Sequence, residues 1–417
     1  MKKGLFIFLA IFSSLAAVAQ NLYFKDILKP NRDALYRNLV QNSINKNLSL
    51  PLTDSSENNW QDAFNALELL KYKSPLVNSH ITKAMNDLTN RSIDFKRAII
   101  ELIYSNYPKI FKHQAYNLFA QSTDAKLLAM CANYILQCHV SADTIHTLLQ
   151  KTRQQLQQDT GNPILEQLQY QLVHYAKPDA IPDVKSFLQK NYLPGQVLLI
   201  SFQRKNRNYP GLVIVRDGNG NFVKDDSTNL LFAVPQLARS MSNMPGYISN
   251  GNTPEGIFKM DGFDVSRSSF IGPTPNIQLS MPFETNEKHF FNNDAITDTS
   301  WNINLYKKLL PKNWQDYFPI YQTYYAGKAG RTEIIAHGTT INPEYYRTQP
   351  YYPIPPTQGC LSTTEIWNEN TGHQTRSDQR ALINAMLKAG GSHGYTIVIN
   401  INDEQRPVLL ADVLPYF

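Results

Sequence analysis

The chain has 417 residues, enough for more than one hydrophobic core, and a formal charge of +6. The charge falls to +4 if Lys2 and Lys3 leave with a leader (6 − 2), and the basic residues are scattered, which argues against a nucleic-acid surface. Three cysteines are too few for a disulfide scaffold.

The chain opens MKKGLFIFLAIFSSLAAVAQ: two lysines, an apolar run, then Ala17-Val18-Ala19. This order predicts a secretory signal over residues 1–19, cut after Ala19, with export to the periplasm or cell envelope. No cysteine stands at the cut, and no later stretch is apolar enough to cross a membrane.

Residues 20–190 read as an α-helical domain. In NNWQDAFNALELL, Trp60, Phe64 and Leu67 recur at helical spacing, and in SIDFKRAIIELI so do Phe95, Ile99, Leu102 and Ile103, with Ser92 as N-cap. A third start falls at Asp124. Trp60, Ser92 and Asp124 are spaced 32 residues apart, which suggests stacked helix pairs of the HEAT or TPR kind. The aromatic positions read as core. Cys131 and Cys138 lie seven apart on one predicted helix, a rise of about 10 Å, so they are not expected to pair.

Residues 191–417 are mostly β, giving an α+β multidomain chain. GQVLLISFQ and GLVIVRDGNGNFV form a predicted hairpin, with turn dipeptides Asp217-Gly218 and Asn219-Gly220. Further strands are expected in NLLFAVPQLA, GIFKMDGF, TEIIAHG and GYTIVINI, and one helix in SDQRALINAMLKAG. A cut by protease is expected around Tyr175 to Lys185, between the two patterns.

His337 closes one β-run and is followed by Gly338; Cys360 follows Gly359 in a polar turn. A thiolate is a strong nucleophile, and a nearby imidazole is the usual base that makes it. Backbone N–H groups at the turn, from Gly359, Cys360 and Leu361, are candidate oxyanion donors. Hydrogen-bond reach between His337 and Cys360 is expected if the pair works together. The segment between them, NPEYYRTQPYYPIPP, reads either as a stiff aromatic wall or lid over a groove or as a surface loop. His373 and His393 sit in polar, Gly-flanked stretches and read as solvated. No HExxH, paired Cys–His spacing or Gly-rich phosphate loop occurs, so neither metal nor cofactor is expected.

Three segments in this order, NTPEGIFKM at Asn252 to Met260, IIAHGTT at Ile334 to Thr340 and TQGCLS at Thr357 to Ser362, resemble the murein L,D-transpeptidase (YkuD-type) catalytic domain over roughly residues 195 to 402. The resemblance implies Cys360 as nucleophile, His337 as general base and the Gly338 carbonyl as the group orienting the ring. It implies an exported cysteine acyl-transferase acting on peptidoglycan stem peptides, cross-linking them or, with water as acceptor, acting as an L,D-carboxypeptidase. Where the family has a second histidine this chain has Gln358, which donates a hydrogen bond but carries no proton; where the family usually has Arg or Asn it has Ser362. The alternative is a non-catalytic wall-binding or scaffold protein. The helical half is expected to position the enzyme or bind a protein partner.

Overall fold

The computed structural model describes residues 22–296 and 300–417; the expected leader lies outside the described residues. Among them no helix is long and apolar enough to cross a membrane. The architecture is α+β, a helical array followed by a closed eight-stranded barrel.

The helices follow one another through short turns. Glu57–Leu70 is followed by Pro75–Asn86, Ile93–Asn106 by Lys112–Gln121, and Ala125–Leu136 by Ala142–Gln158, with Pro163–Val173 closing the array. Short polar side chains start these helices as the sequence anticipates. Ser92 accepts from the Phe95 N–H at 3.1 Å and Asp124 from the Leu127 N–H at 2.7 Å, each satisfying a donor that the first turn leaves unpaired. Glu57–Leu70 packs on Ile93–Asn106, and that on Ala125–Leu136; Lys112–Gln121 packs on Ala125–Leu136, and Ala142–Gln158 on Pro163–Val173. Trp60, Phe64, Phe95 and Ile99 form the core between them, all essentially inaccessible. Burial of each such side chain contributes about 1.5–3 kcal/mol. All three cysteines are free thiols, and Cys131 is buried.

The barrel runs β1 (Val197–Arg204), β10 (His393–Asn402), β4 (Gly256–Asp264), β5 (Asn276–Ser280), β6 (Ile335–His337), β7 (Leu361–Thr363), β3 (Ala233–Leu237) and β2 (Gly211–Arg216), closing on β1. The β1–β10 and β6–β7 pairs are parallel and the rest antiparallel. Alternate residues from every strand, among them Leu199, Val213, Val234, Phe258, Ile277, Ala336, Leu361 and Val398, join one cluster with Leu382 and Met386 of the helix Asp378–Ala389. A cluster fed by all the strands is the barrel interior, and period-two alternation sends the intervening residues outward. On the outside, Ile200, Ile214 and Ile399 pack under Phe187, Tyr306 and Trp314 from flanking helical segments. β8 (Glu365–Trp367) and β9 (Gln374–Ser377) form a separate two-stranded sheet. The chain's beginning joins it through the Tyr23–His373 bridge.

Two expectations change. The division of the chain is not at residue 190: Val184, Phe187 and Leu188 already belong to the barrel's outer layer. The two halves also share a core. Leu237, Met244, Tyr247, Tyr346 and Tyr351 from the barrel side sit in the same cluster as Trp60 and Phe95. The tyrosine–proline segment thus lies partly in this interface: Tyr346 and Tyr351 are buried, while Arg347, Thr348 and Tyr352 are exposed. Tyr346 is buried and donates from Oη to the Leu69 carbonyl at 2.6 Å, and the Arg239 guanidinium lies 4.5 Å from the Tyr351 ring centre. Tyr346 and Tyr351 anchor the barrel to the array by burying their rings there; the Tyr346 hydroxyl is satisfied, while that of Tyr351 is buried with no partner among the described residues.

Candidate functional site

The last residue of β6 is His337, opposite Ser362 in the parallel β6–β7 pair, with Ala336 opposite Leu361. Cys360 immediately precedes β7, which sets it beside Ile335, two residues back from His337 along the neighbouring strand. Residues two apart share a face, so with Ala336 and Leu361 pointing into the barrel, His337 and Cys360 both point out of it. Both open into one cavity of about 460 Å³, whose far wall comes from the helical array: Ser43, Asn47, Asp62 and Asn65.

The ring of His337 is held by a hydrogen bond between Nδ1 and the Gly338 carbonyl, the orienting contact that the sequence suggested. With Nδ1 as donor, Nε2 carries the lone pair, and among the described residues it has no hydrogen-bond partner. Burial lowers the imidazole's pKa to about 4, although the Gly338 carbonyl favours the protonated form. His337 is thus neutral at pH 7 and able to accept a proton. A Cβ at position 338 would lie 2.2 Å from the Glu365 carboxyl carbon, so a larger residue would displace that carboxyl. The Glu365 carboxyl, pushed up to about 7 by burial, packs under the histidine turn and accepts from Ser377 Oγ at 2.8 Å. Gln379 fixes β6 from the other side, its amide donating to the Ala336 carbonyl at 2.9 Å.

Cys360 is partly exposed. Its sulfur accepts the Ile335 N–H at 3.5 Å and its thiol donates to the Glu333 carbonyl at 3.6 Å. No hydrogen bond joins it to His337 among the described residues. Burial pushes the thiol up to about 11, partly opposed by the Ile335 N–H and the Arg331 guanidinium. At rest the sulfur is protonated.

The turn that presents Cys360 is built by the first of the three segments noted in the sequence. Thr253 Oγ1 donates to the Gly359 carbonyl at 2.8 Å, and Thr357 Oγ1 donates to the Cys360 carbonyl at 2.9 Å. Gly359 sits at φ +124, where a Cβ would also meet Arg331 Nη2 at 2.0 Å. Its N–H is taken by Thr357 Oγ1 at 3.0 Å, which removes it from the expected oxyanion donors. The Cys360 N–H donates to no atom among the described residues. Leu361 holds the turn by burying its side chain in the barrel. Gln358 is exposed, its amide has no partner among the described residues, and it lines the His337 cavity and a second one of about 1010 Å³ that also reaches Cys360. Ser362 faces neither cavity; its hydroxyl is buried against the Pro355 carbonyl at 3.0 Å.

Sequence reasoning missed Arg331. It is buried and binds a whole loop, donating to the carbonyls of Gly246, Ile248, Asn252 and Gly251, the last three at 3.2, 2.9 and 2.7 Å. No motif surrounds it, and an isolated arginine in a polar stretch carries no signal of such a role. It missed Glu365 and the Asp62–Asn65 wall for the same reason.

The second cavity is lined by Asp261, Asp264, Glu284 and Glu333 as well as Cys360. No group of His, Cys, Asp and Glu among the described residues has the arrangement to hold a metal ion. Comparison with protein-family models, curated proteins and solved structures finds no match for this chain.

Proposed function

We propose that the protein is a cysteine acyl-transferase of the L,D-transpeptidase type, acting outside the cytoplasm on peptidoglycan stem peptides. The observation that carries this reading is the shared cavity: a neutral imidazole with a free Nε2 and a cysteine sulfur open into it from the same face of adjacent strands. In the proposed reaction Nε2 of His337 takes the thiol proton as Sγ of Cys360 attacks the peptide carbonyl carbon. Electron density moves to the carbonyl oxygen, and the free Cys360 N–H would donate to it. The C–N bond then breaks, the departing amine takes the proton from His337, and a thioester remains on Cys360. An amine from a second stem peptide, or water, attacks the thioester; His337 accepts its proton and returns it to the sulfur. The neutral thiol of the resting state requires that the first proton transfer accompany attack, not precede it.

The acids around the second cavity suit an approaching ammonium-bearing acceptor, which favours cross-linking over hydrolysis. One observation favours the rival reading, a non-catalytic binder: the thiol is bonded to Glu333 and not to His337. Incubation with a purified disaccharide-tetrapeptide followed by mass spectrometry separates the readings. Dimers mean transpeptidation, loss of the terminal alanine means carboxypeptidation, and unchanged material favours the binder.

A further inference from the structure

A third cleft, of about 390 Å³, borders the loop that Arg331 holds. That loop contributes Pro245 and Tyr247; the helix Pro163–Val173 and the chain after it contribute Gln167, Gln171 and Tyr175; the barrel contributes Glu255 and Asn400. None of these residues lines the cavity of His337 and Cys360. The volume falls in the range of small-ligand sites.

Most polar groups of the cleft are already tied into the protein. Gln171 donates to Asn133 Oδ1 at 2.8 Å and accepts from Tyr247 Oη at 2.9 Å. Glu255, 2% exposed, accepts from the Asn400 N–H at 3.0 Å and from its amide at 2.6 Å. Among the buried side-chain atoms of the cleft, Gln167 Nε2 is the exception. The residue is 4% exposed, and its Nε2 is buried with no hydrogen-bond partner. Leaving such a donor unpaired costs about 1–3 kcal/mol, a cost that an incoming acceptor removes. Tyr175 at the mouth is 38% exposed and stacks on no other ring among the described residues, whereas Tyr170 nearby is sandwiched between His174 and Phe318 at 4.1 and 4.4 Å.

The lining disfavours an anion, which would meet Glu255 and Asp179, and the exposed Lys205 offsets part of their pull on a cation. An apolar ligand would leave Gln167 unpaired. A neutral molecule with a carbonyl acceptor, hydroxyl donors and a flat apolar face answers all three features. We propose that this cleft binds an N-acetylated sugar unit: the acetamido carbonyl accepts from Gln167 Nε2, hydroxyls donate to Glu255, and the ring lies on Tyr175. The ligand class rests on the peptidoglycan reading, since the glycan strand carries the stem peptides. The cleft would hold the strand while its peptide reaches Cys360.

The test is calorimetric titration of the full chain with tetra-N-acetylchitotetraose, which has no peptide and so binds or fails independently of catalysis. The wild type is expected to bind saturably. Gln167→Met, which removes the unpaired donor while keeping the side chain's length, is expected to weaken binding by about tenfold or more, the loss of roughly one hydrogen bond, with its thermal midpoint unchanged or raised. Tyr175→Ala should weaken it as well, and cellotetraose, which lacks the acetamido group, should bind about tenfold less tightly. Absence of saturable binding overturns the proposal, as does Gln167→Met or cellotetraose behaving like the wild-type pair. Catalysis on a soluble disaccharide-tetrapeptide without saccharide binding overturns this inference alone; saccharide binding without catalysis leaves it standing and overturns the acyl-transfer reading.

Discussion

The protonation state of Cys360 gives a direct test of the resting site. Burial holds the thiol at about 11. At pH 7 about one molecule in 10⁴ then carries a thiolate, against roughly one in 30 for an ordinary cysteine near 8.5, a deficit of roughly 300-fold. A more basic thiolate is also a better nucleophile, with a Brønsted coefficient of about 0.4–0.5, which restores roughly a factor of ten. Alkylation of Cys360 by iodoacetamide at pH 7 should therefore run at least roughly 20-fold slower than that of an unstructured cysteine peptide. Its logarithm should rise with unit slope and no plateau until the pH nears the thiol's value. Peptide mass spectrometry of samples quenched across this range gives the rate at Cys360 separately from Cys131 and Cys138. Because His337 makes no hydrogen bond to the sulfur at rest, His337→Gln should change that rate by no more than a few-fold while abolishing turnover. Fast alkylation at neutral pH with a plateau reaching into acid would mean a standing thiolate–imidazolium pair, and the account of the resting site would be wrong.

Gly338→Ala places a methyl against the Glu365 carboxyl, so turnover should collapse with a stability loss of about 1–3 kcal/mol, read by denaturant unfolding. The His337 imidazole, lowered to about 4 from an ordinary value of 6.5, binds its proton less tightly in the folded state; its contribution is full above pH 6.5 and is lost as pH falls toward 4. That loss is roughly 3 kcal/mol, and chemical unfolding of His337→Gln should lack this part of the acid sensitivity. A protease nick between Tyr175 and Lys185 should leave the two pieces co-eluting on size exclusion, because Tyr346 and Tyr351 are buried in the helical array's core; clean separation into folded halves would contradict the shared core. Gln358→His should raise turnover, since the side chain is exposed, unpartnered and faces both cavities.

What was legible in the sequence was local. Ser92 and Asp124 announce helix starts because capping is chemistry within four residues, and β1 and β2 are readable as apolar β-rich runs, with the turn dipeptides Asp217-Gly218 and Asn219-Gly220 marking the reversal after β2. β5 was not anticipated: NIQLS is short, and it is a strand only because β4 and β6 pair with it on both sides. The short helices Ile303–Leu309 and Gln322–Lys328 were missed because they offer barely two turns of periodicity and are held by ring packing, as between Tyr306 and Tyr324. His337 and Cys360 were found through their glycines and flanking segments, but the turn's occupancy was hidden. That Gly359 spends its N–H on Thr357, or that Arg331 stands behind it, depends on contacts across the fold. The tyrosine–proline segment misled for a related reason: tyrosine suits both a wet groove and an internal interface, and only the partner surface decides which.

The central claim is that Cys360 forms an acyl intermediate, and intact-mass spectrometry of protein acid-quenched during turnover of a disaccharide-tetrapeptide tests it most directly. The account predicts an adduct with the mass of the donor lacking its terminal alanine, mapped to Cys360 and absent from Cys360→Ala. Unmodified wild-type protein at every quench time, with no product formed and the fold intact, would contradict it.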